Sequence, residues 1–363
     1  MRGMIVGTRI AARLRSWDGL LLAVVLVVIG LNIVFVEPYL GANALQNQVN
    51  LWQSGIEKAI VVLAMAFVII NGEIDLSVAS VMGLAAVVVA VLWEQGFGME
   101  LAILIALLTG VAVGLFNGFW VAIVGLPSLA VTLAGLIGIR GLAFVLIEDR
   151  SIGNAATAFP AWFEDMGQQS LGEILPVLAN VPLLERGTLA MAIYALLLVL
   201  AAVTLSSAGF GRRNFAIGGS LQVSRYSGVG VASHKMAVMT ISATTAALAG
   251  VLFASKLGAV RGSTAVGFEL DIITIVLLGG VSIFGGSGTM FGVFLSTVLV
   301  LNIRNGLGLQ NVPGHTQTGV IGLLLILSVL LPNIITSYQE RARRRALARA
   351  AARTRDGQAR TPG

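Results

Sequence analysis

Apolar runs close to the roughly 20 residues of a bilayer-crossing helix recur along this chain, separated by short polar stretches. The pattern predicts a bundle of membrane-crossing helices. The first run, 20–36, follows a basic start and no small-residue cleavage site follows it, so it reads as an uncleaved first helix running outward. A polar stretch with Gln46, Asn47, Gln48, Asn50 and Gln53 reads as a loop before the second span at 55–70. The heptapeptide NGEIDLS then brings Glu73 and Asp75 together in a turn before span three, 76–93, which Asp75 or Ser77 is placed to cap. Span four, 101–124, ends at the breaker pair Gly125 and Pro127, and span five, 128–147, contains Thr132 and Arg140. The stretch 148–187 reads as the long external loop, with 171–184 lying at the interface. Spans six and seven follow at 188–205 and 236–257, spans eight and nine begin near 270 and 289, and span ten covers 318–331.

Composition agrees. Hydrophobic side chains make up 57% and charged ones 11%, with a mean hydropathy of +0.93, far from the ~25% charged of soluble domains. The reading is an all-α polytopic membrane protein of about ten transmembrane helices. Arg2, Arg9, Arg13 and Arg15 crowd one end, and Arg341, Arg343, Arg344, Arg345, Arg349, Arg353, Arg355 and Arg360 the other. Both clusters flank apolar spans, so they are topology signals and lipid contacts before they are a nucleic-acid surface. Ten crossings place both termini in the cytoplasm. The organisation expected is a cytoplasmic basic N-terminus at 1–17, a transmembrane domain at 18–336 and a cytoplasmic basic tail without packed structure at 337–363. The absence of cysteine removes disulfides and thiolate metal sites, and His234 and His315 lie in separate loops, so neither a metal nor a cofactor is expected.

The interior loop 207–235 stands apart. Arg212, Arg213, Arg225 and Lys235 lie in a stretch with no acidic residue, which assigns it to the cytoplasm. One short helix fits inside it: Ser220 caps, Leu221, Val223 and Tyr226 are apolar anchors, and Gly228 suits a left-handed terminus. A helix of about two turns needs something to dock against, either this protein's own membrane body or a soluble partner.

Glu73-Ile-Asp75-Leu recurs in type as Glu269-Leu-Asp271-Ile, and each set is followed at a distance by Asn-Gly, at Asn117-Gly118 and Asn305-Gly306. With one acidic pair inside and the other outside, this is the pattern of an inverted repeat, helices 2–5 against 7–10. The glycines concentrated at Gly279, Gly280, Gly285, Gly286, Gly288 and Gly292 read as close helix packing ahead of a substrate path. Arg140, inside a span, is either functional or snorkels to the interface. Asn117, Ser128, Thr132, Thr244, Thr274 and Asn305 are intramembrane polar groups suited to a hydrogen-bonding solute, each Ser and Thr having the competing option of bonding its own helix carbonyl.

Four motifs carry a resemblance: NGEIDLSVASVMGL, GLPSLAVTLAGLIGIRGLAFVL, GRRNFAIGGSLQVSRYSGVGV and GFELDIITIVLLGGVSIFGGSGTMFGVFL. In the same order and spacing from 55 to 332 they resemble the sugar-type permeases of bacterial ABC importers, the family that includes the ribose permease. The resemblance implies an inner-membrane subunit that translocates a ribose- or rhamnose-like monosaccharide or small polyol, pairing with a second permease, a cytoplasmic ATPase and a periplasmic binding protein. Ser220 to Gly228 then looks like the coupling helix that docks on the ATPase. Glu73 and Ala79 stand where the family commonly has glycine, and the GEIDLSVA setting is closer to rhamnose-type and autoinducer-2-type permeases. No Gly-x4-Gly-Lys-[Ser/Thr] phosphate loop is present, so ATP hydrolysis is expected on another chain. The competing reading is an ion-coupled secondary transporter relaying through Glu73, Asp75, Glu269 and Asp271. An intramembrane enzyme ranks lowest, with no catalytic arrangement visible.

Overall fold

The computed structural model describes residues 17–40, 44–153, 157–174, 185–324, 326, 327 and 330. The basic ends and most of 171–184 lie outside the described residues. Helices α1 (Trp17–Phe35), α2 (Ala44–Ile70), α3 (Val78–Glu94), α4 (Met99–Gly118) and α5 (Ser128–Ile147) come first. Short α6 (Ala161–Gln168) and α7 (Leu171–Ile174) follow, then α8 (Leu189–Ser207), α9 (Gly209–Gly219), α10 (Leu221–Tyr226), α11 (Val231–Leu257), α12 (Phe268–Leu278) and α13 (Met290–Leu309). A last helix, α14, is described over 314–324. The protein is an all-α polytopic membrane protein, and seven of its described helices are long and apolar enough to cross a bilayer.

Burial sorts the helices. α3 and residues 59–70 of α2 are apolar on every side and almost wholly buried, as such helices must be. α1, α5 and α8 leave most of their apolar surface open. α11 runs through the centre, packing on α2, α3 and α4, while α2 packs reciprocally on α12 and α13. That exchange is what a repeat of helices 2–5 against 7–10 would produce.

Four expectations need correction. Gln46 to Gln53 form no loop: they are the first turns of α2, with Gln46 Nε2 donating to Asn50 Oδ1 at 3.0 Å one turn on and Asn47 and Leu51 buried. The central loop holds two helices, because Asn214 and Ile217 bury one side of α9. Span eight is only 11 residues long, about 16 Å of helix and half a bilayer. The glycines after it are mostly not a helix-packing surface: Gly280, Gly285, Gly286 and Gly288 have φ between +73° and +149° and build a loop, leaving Gly279 and Gly292 to pack α12 on α13.

The loops sort to two faces. One carries 71–77, the stretch from Ala208 to Gly230, and 279–289. The far face carries the described residues 148–153, 157–174 and 185–188 together with 258–267, and a backbone bridge joins Ile152 to Val260.

Candidate translocation and coupling sites

The segment 72–77 is not helical, although it lies inside the bundle. Ile74 N–H donates to Ser128 Oγ at 3.1 Å, Thr132 Oγ1 donates to the carbonyls of Ile74 and Ser128, and one turn into α3 Ser80 donates to Leu136 O. The segment therefore runs beside the first two turns of α5, roughly 10 Å of depth, before α3 begins. Span three is thus entered through an irregular stretch of backbone, the kind that membranes tolerate only where protein encloses it.

Its carboxylates are held inside this irregular stretch. Asp75 Oδ1 accepts from Ser77 N–H at 3.0 Å and from Ser77 Oγ at 2.6 Å, and Oδ2 accepts from Ser242 Oγ at 2.9 Å. Asp75 is the capping group; Ser77 occupies the cap position but spends its hydroxyl on Asp75. The carboxylate beside the N-terminus of α3 also meets the positive end of that helix. Glu73 pairs with Lys235 of α11. Asn117 of α4 donates to Ser77 Oγ at 3.0 Å, while its Oδ1, also buried, has no partner. Asn117 borders a cleft of about 760 Å³ between α4 and α5, otherwise lined by apolar groups such as Val113, Phe116, Trp120 and Ile139. The arrangement leaves a buried, unpaired acceptor beside an apolar cleft, backed by a carboxylate.

Asn117, Ser128 and Thr132 therefore come together, and Thr244, Thr274 and Asn305 do not join them. Thr244 lies against Gly110 of α4. Thr274 bonds its own helix at Leu270 O, 2.6 Å away. Asn305 sits on α13 with its Oδ1 unpartnered.

The second acidic pair is also a charge centre. Asp271 accepts from Lys58 at 2.9 Å and from Arg304 through both oxygens at 2.7 Å, and Lys58 lies over the Phe268 ring at 4.4 Å. Beside it Lys256 pairs with Glu57 at 3.1 Å. Glu269 Oε2 is buried without a hydrogen bond. Lys58, Glu57, Lys256 and Arg304 were missed as site residues, although a lone charge in an apolar run is the signal that could have found them. Arg140 does not snorkel: it donates to the carbonyls of Thr264 at 2.6 Å, Ala79 at 2.8 Å and Gly262 at 3.2 Å, tying α5 to the start of α3 and to the far-face loop.

On the opposite face α10 begins at Ser220, whose Oγ accepts from Val223 N–H at 3.4 Å, and ends before Gly228 at φ +76°. Val223 is 63% exposed and Tyr226 92%; Leu221 is half-buried and Arg212, Arg213 and Arg225 are exposed. A short helix thus presents apolar and cationic side chains with nothing among the described residues covering them.

The family described as "Branched-chain amino acid transport system / permease component" matches residues 49–329. The Xylose transport system permease protein XylH of Escherichia coli (strain K12) is 32% identical, over 80% of this chain and 85% of that protein. The Autoinducer 2 import system permease protein LsrC of Yersinia enterocolitica is 33% identical, over 73% of this chain and 69% of that one. The XylH protein of Haemophilus influenzae is 28% identical, over 85% and 94% respectively. No solved structure gives a significant match. With one continuous match running from α2 into α14, the chain belongs to this permease family, among the sugar-type permeases of ABC importers.

Proposed function

We propose that the chain is the membrane subunit of an ATP-driven importer, in the inner membrane with both termini cytoplasmic, and that α10 is where the separate ATPase docks. The observation that carries this is the exposed Val223 and Tyr226 on a capped two-turn helix flanked by arginines. The path is the α4–α5 cleft, with Asn117 as its polar contact, completed by a second permease copy or a paralogue. The cargo is a ribose- or rhamnose-like monosaccharide or related small polyol, delivered by a periplasmic binding protein. Relatives named for xylose and autoinducer 2 support that class over branched-chain amino acids.

An ion-coupled mechanism is the second reading. Glu73 and Asp271 are neutralised by Lys235 and by Lys58 with Arg304, which leaves few free carboxylates for a relay. Collapse of uptake on ATP depletion with the ion gradient intact separates the two.

Docking is tested by Tyr226→Asp and Leu221→Asp in a co-expressed importer. A charge placed in an apolar hot spot costs about 2 kcal/mol or more, some 30-fold in affinity. The variants should accumulate in the membrane, lose the ATPase on purification and lose uptake, with Gly228→Val acting similarly through backbone strain at its positive φ. Tyr226→Asp importing at the wild-type rate with the ATPase bound rejects the dock. A thermal-shift screen of the binding protein against pentoses, deoxyhexoses and branched-chain amino acids assigns the cargo.

A further inference from the structure

Where α9 meets the membrane body, three stretches of backbone cross with no side chain between them. Gly286 N–H donates to Ile70 O at 2.8 Å. A Cβ on Gly218 would overlap Ile70 O and lie 2.5 Å from Gly286 N; one on Gly285 would lie 2.8 Å from Gly72 Cα, and one on Gly286 2.7 Å from Gly219 Cα. One turn back, Asn214 is fully buried and bonded through both amide atoms: its Oδ1 accepts from Asn71 Nδ2 at 2.7 Å and lies 3.1 Å from His234 Nε2, and its Nδ2 donates to Phe67 O at 2.9 Å. The Phe210 ring covers His234 at 4.4 Å and Phe67 at 6.1 Å.

This joint has a mechanical meaning. α9 is flanked by extended residues, Ala208 and Ser220, at which an unpinned helix would pivot and absorb any displacement of α10. Asn214 fixes α9 to the ends of α2 and α11, and the glycine crossing fixes it to the 279–289 loop. Packed backbone of this kind shifts as a body and does not deform gradually. Gly72, within the crossing, opens the irregular stretch 72–77 ahead of α3, which leads through Glu73 and Asp75 to Ser77 and its partner Asn117 beside the cleft.

We propose that this joint, with Asn214 and Gly218 as its positioning residues, is the transmission element that carries displacement of α10 to the irregular segment 72–77 and so to the cleft. The proposal rests on the reading of α10 as the ATPase dock. The experiment uses the whole importer, permease with ATPase and binding protein, in proteoliposomes, and reads substrate imported per ATP hydrolysed. Asn214→Ala and Gly218→Ala should keep the ATPase bound and hydrolysis running while this ratio falls at least tenfold. Gly219→Ala, with open space around its Cβ, should match wild type. Asn71→Ala removes one bond of the network and should lower the ratio less, and the Asn71→Ala/Asn214→Ala double variant no further than Asn214→Ala alone, as expected within one network. An unchanged ratio in Asn214→Ala overturns the proposal, as does a proportional fall of hydrolysis and uptake, which marks a merely structural role. Should the stronger variants fail to accumulate, an unchanged ratio in Asn71→Ala overturns it. Loss of the ATPase from these variants also overturns it, whereas failure of the dock itself is read separately from Tyr226→Asp.

Discussion

Arg140 illustrates what a single side chain can reveal only in place. Its position predicted either function or escape to the interface, and neither is what it does: it gathers the carbonyls of Gly262 and Thr264, in a loop that has no helical partner for them, and that of Ala79 in the first turn of α3. A buried carbonyl left without a donor costs about 1–3 kcal/mol, and Lys cannot reproduce the planar fork. Arg140→Met should therefore lower the thermal midpoint in detergent by about 5–10 °C at a few °C per kcal/mol, with Arg140→Lys between it and wild type, measured by size-exclusion after heating. A wild-type midpoint for Arg140→Met would mean that water replaces the guanidinium. The acidic echo at Glu73–Asp75 and Glu269–Asp271 was legible in the sequence, but its partners were not. Lys58 lies 213 positions from Asp271 and Lys235 lies 162 from Glu73, distances at which no local pattern operates.

At the scale of elements, helix existence was largely readable from apolar runs, and helix ends were not. α2 begins earlier than its apolar run because polar residues continue a helix beyond the bilayer, and α12 ends earlier because left-handed glycines stop it in a stretch that still reads as apolar. One packing device passed unnoticed: Gly110, Gly114 and Gly118, four residues apart on α4, press against the backbone of α11 at Thr244, Thr240 and Met236. Such a small-residue face lets two helices approach closely. A Cβ on Gly114 would lie 2.5 Å from Thr240 Cα, whereas Gly138 on α5 has nothing within 4 Å. Gly114→Leu should leave at least tenfold less monodisperse protein in the membrane fraction, since overpacking against backbone has no side chain to displace. Gly138→Leu should accumulate normally, and comparable yields for the two would remove the α4–α11 contact from the account of stability.

For the whole molecule, the reciprocal packing of α11 on α3 and α4 and of α2 on α12 and α13 gives the short acidic echo a three-dimensional counterpart, which sequence alone left as four residues against four. Orientation is open to direct measurement, because the chain contains no cysteine. Ser170→Cys should react with an impermeant maleimide in cells with a permeabilised outer membrane, and Ser227→Cys, exposed just after α10, should react only after lysis. Ser224 is buried and would be protected from either side. Reaction of Ser227→Cys from outside would invert the arrangement on which the ATPase dock depends.

The ion pairs that span the bundle also constrain how the protein is made. Glu57 and Lys58 sit within α2, and their partners Lys256 and Asp271 emerge about 200 residues later, which at ~5–20 residues per second is roughly 10–40 s of translation. Until then α2 carries two charges without their partners near the end of its apolar run, a cost to release into lipid that reaches about 2.5–3.5 kcal/mol each at the bilayer centre and is smaller toward its edge. The expected outcome is that α2 stays at the insertion machinery until α11 and α12 arrive. Nascent chains arrested before residue 256 should remain crosslinkable to the translocon through α2, and chains arrested well beyond α12 should not.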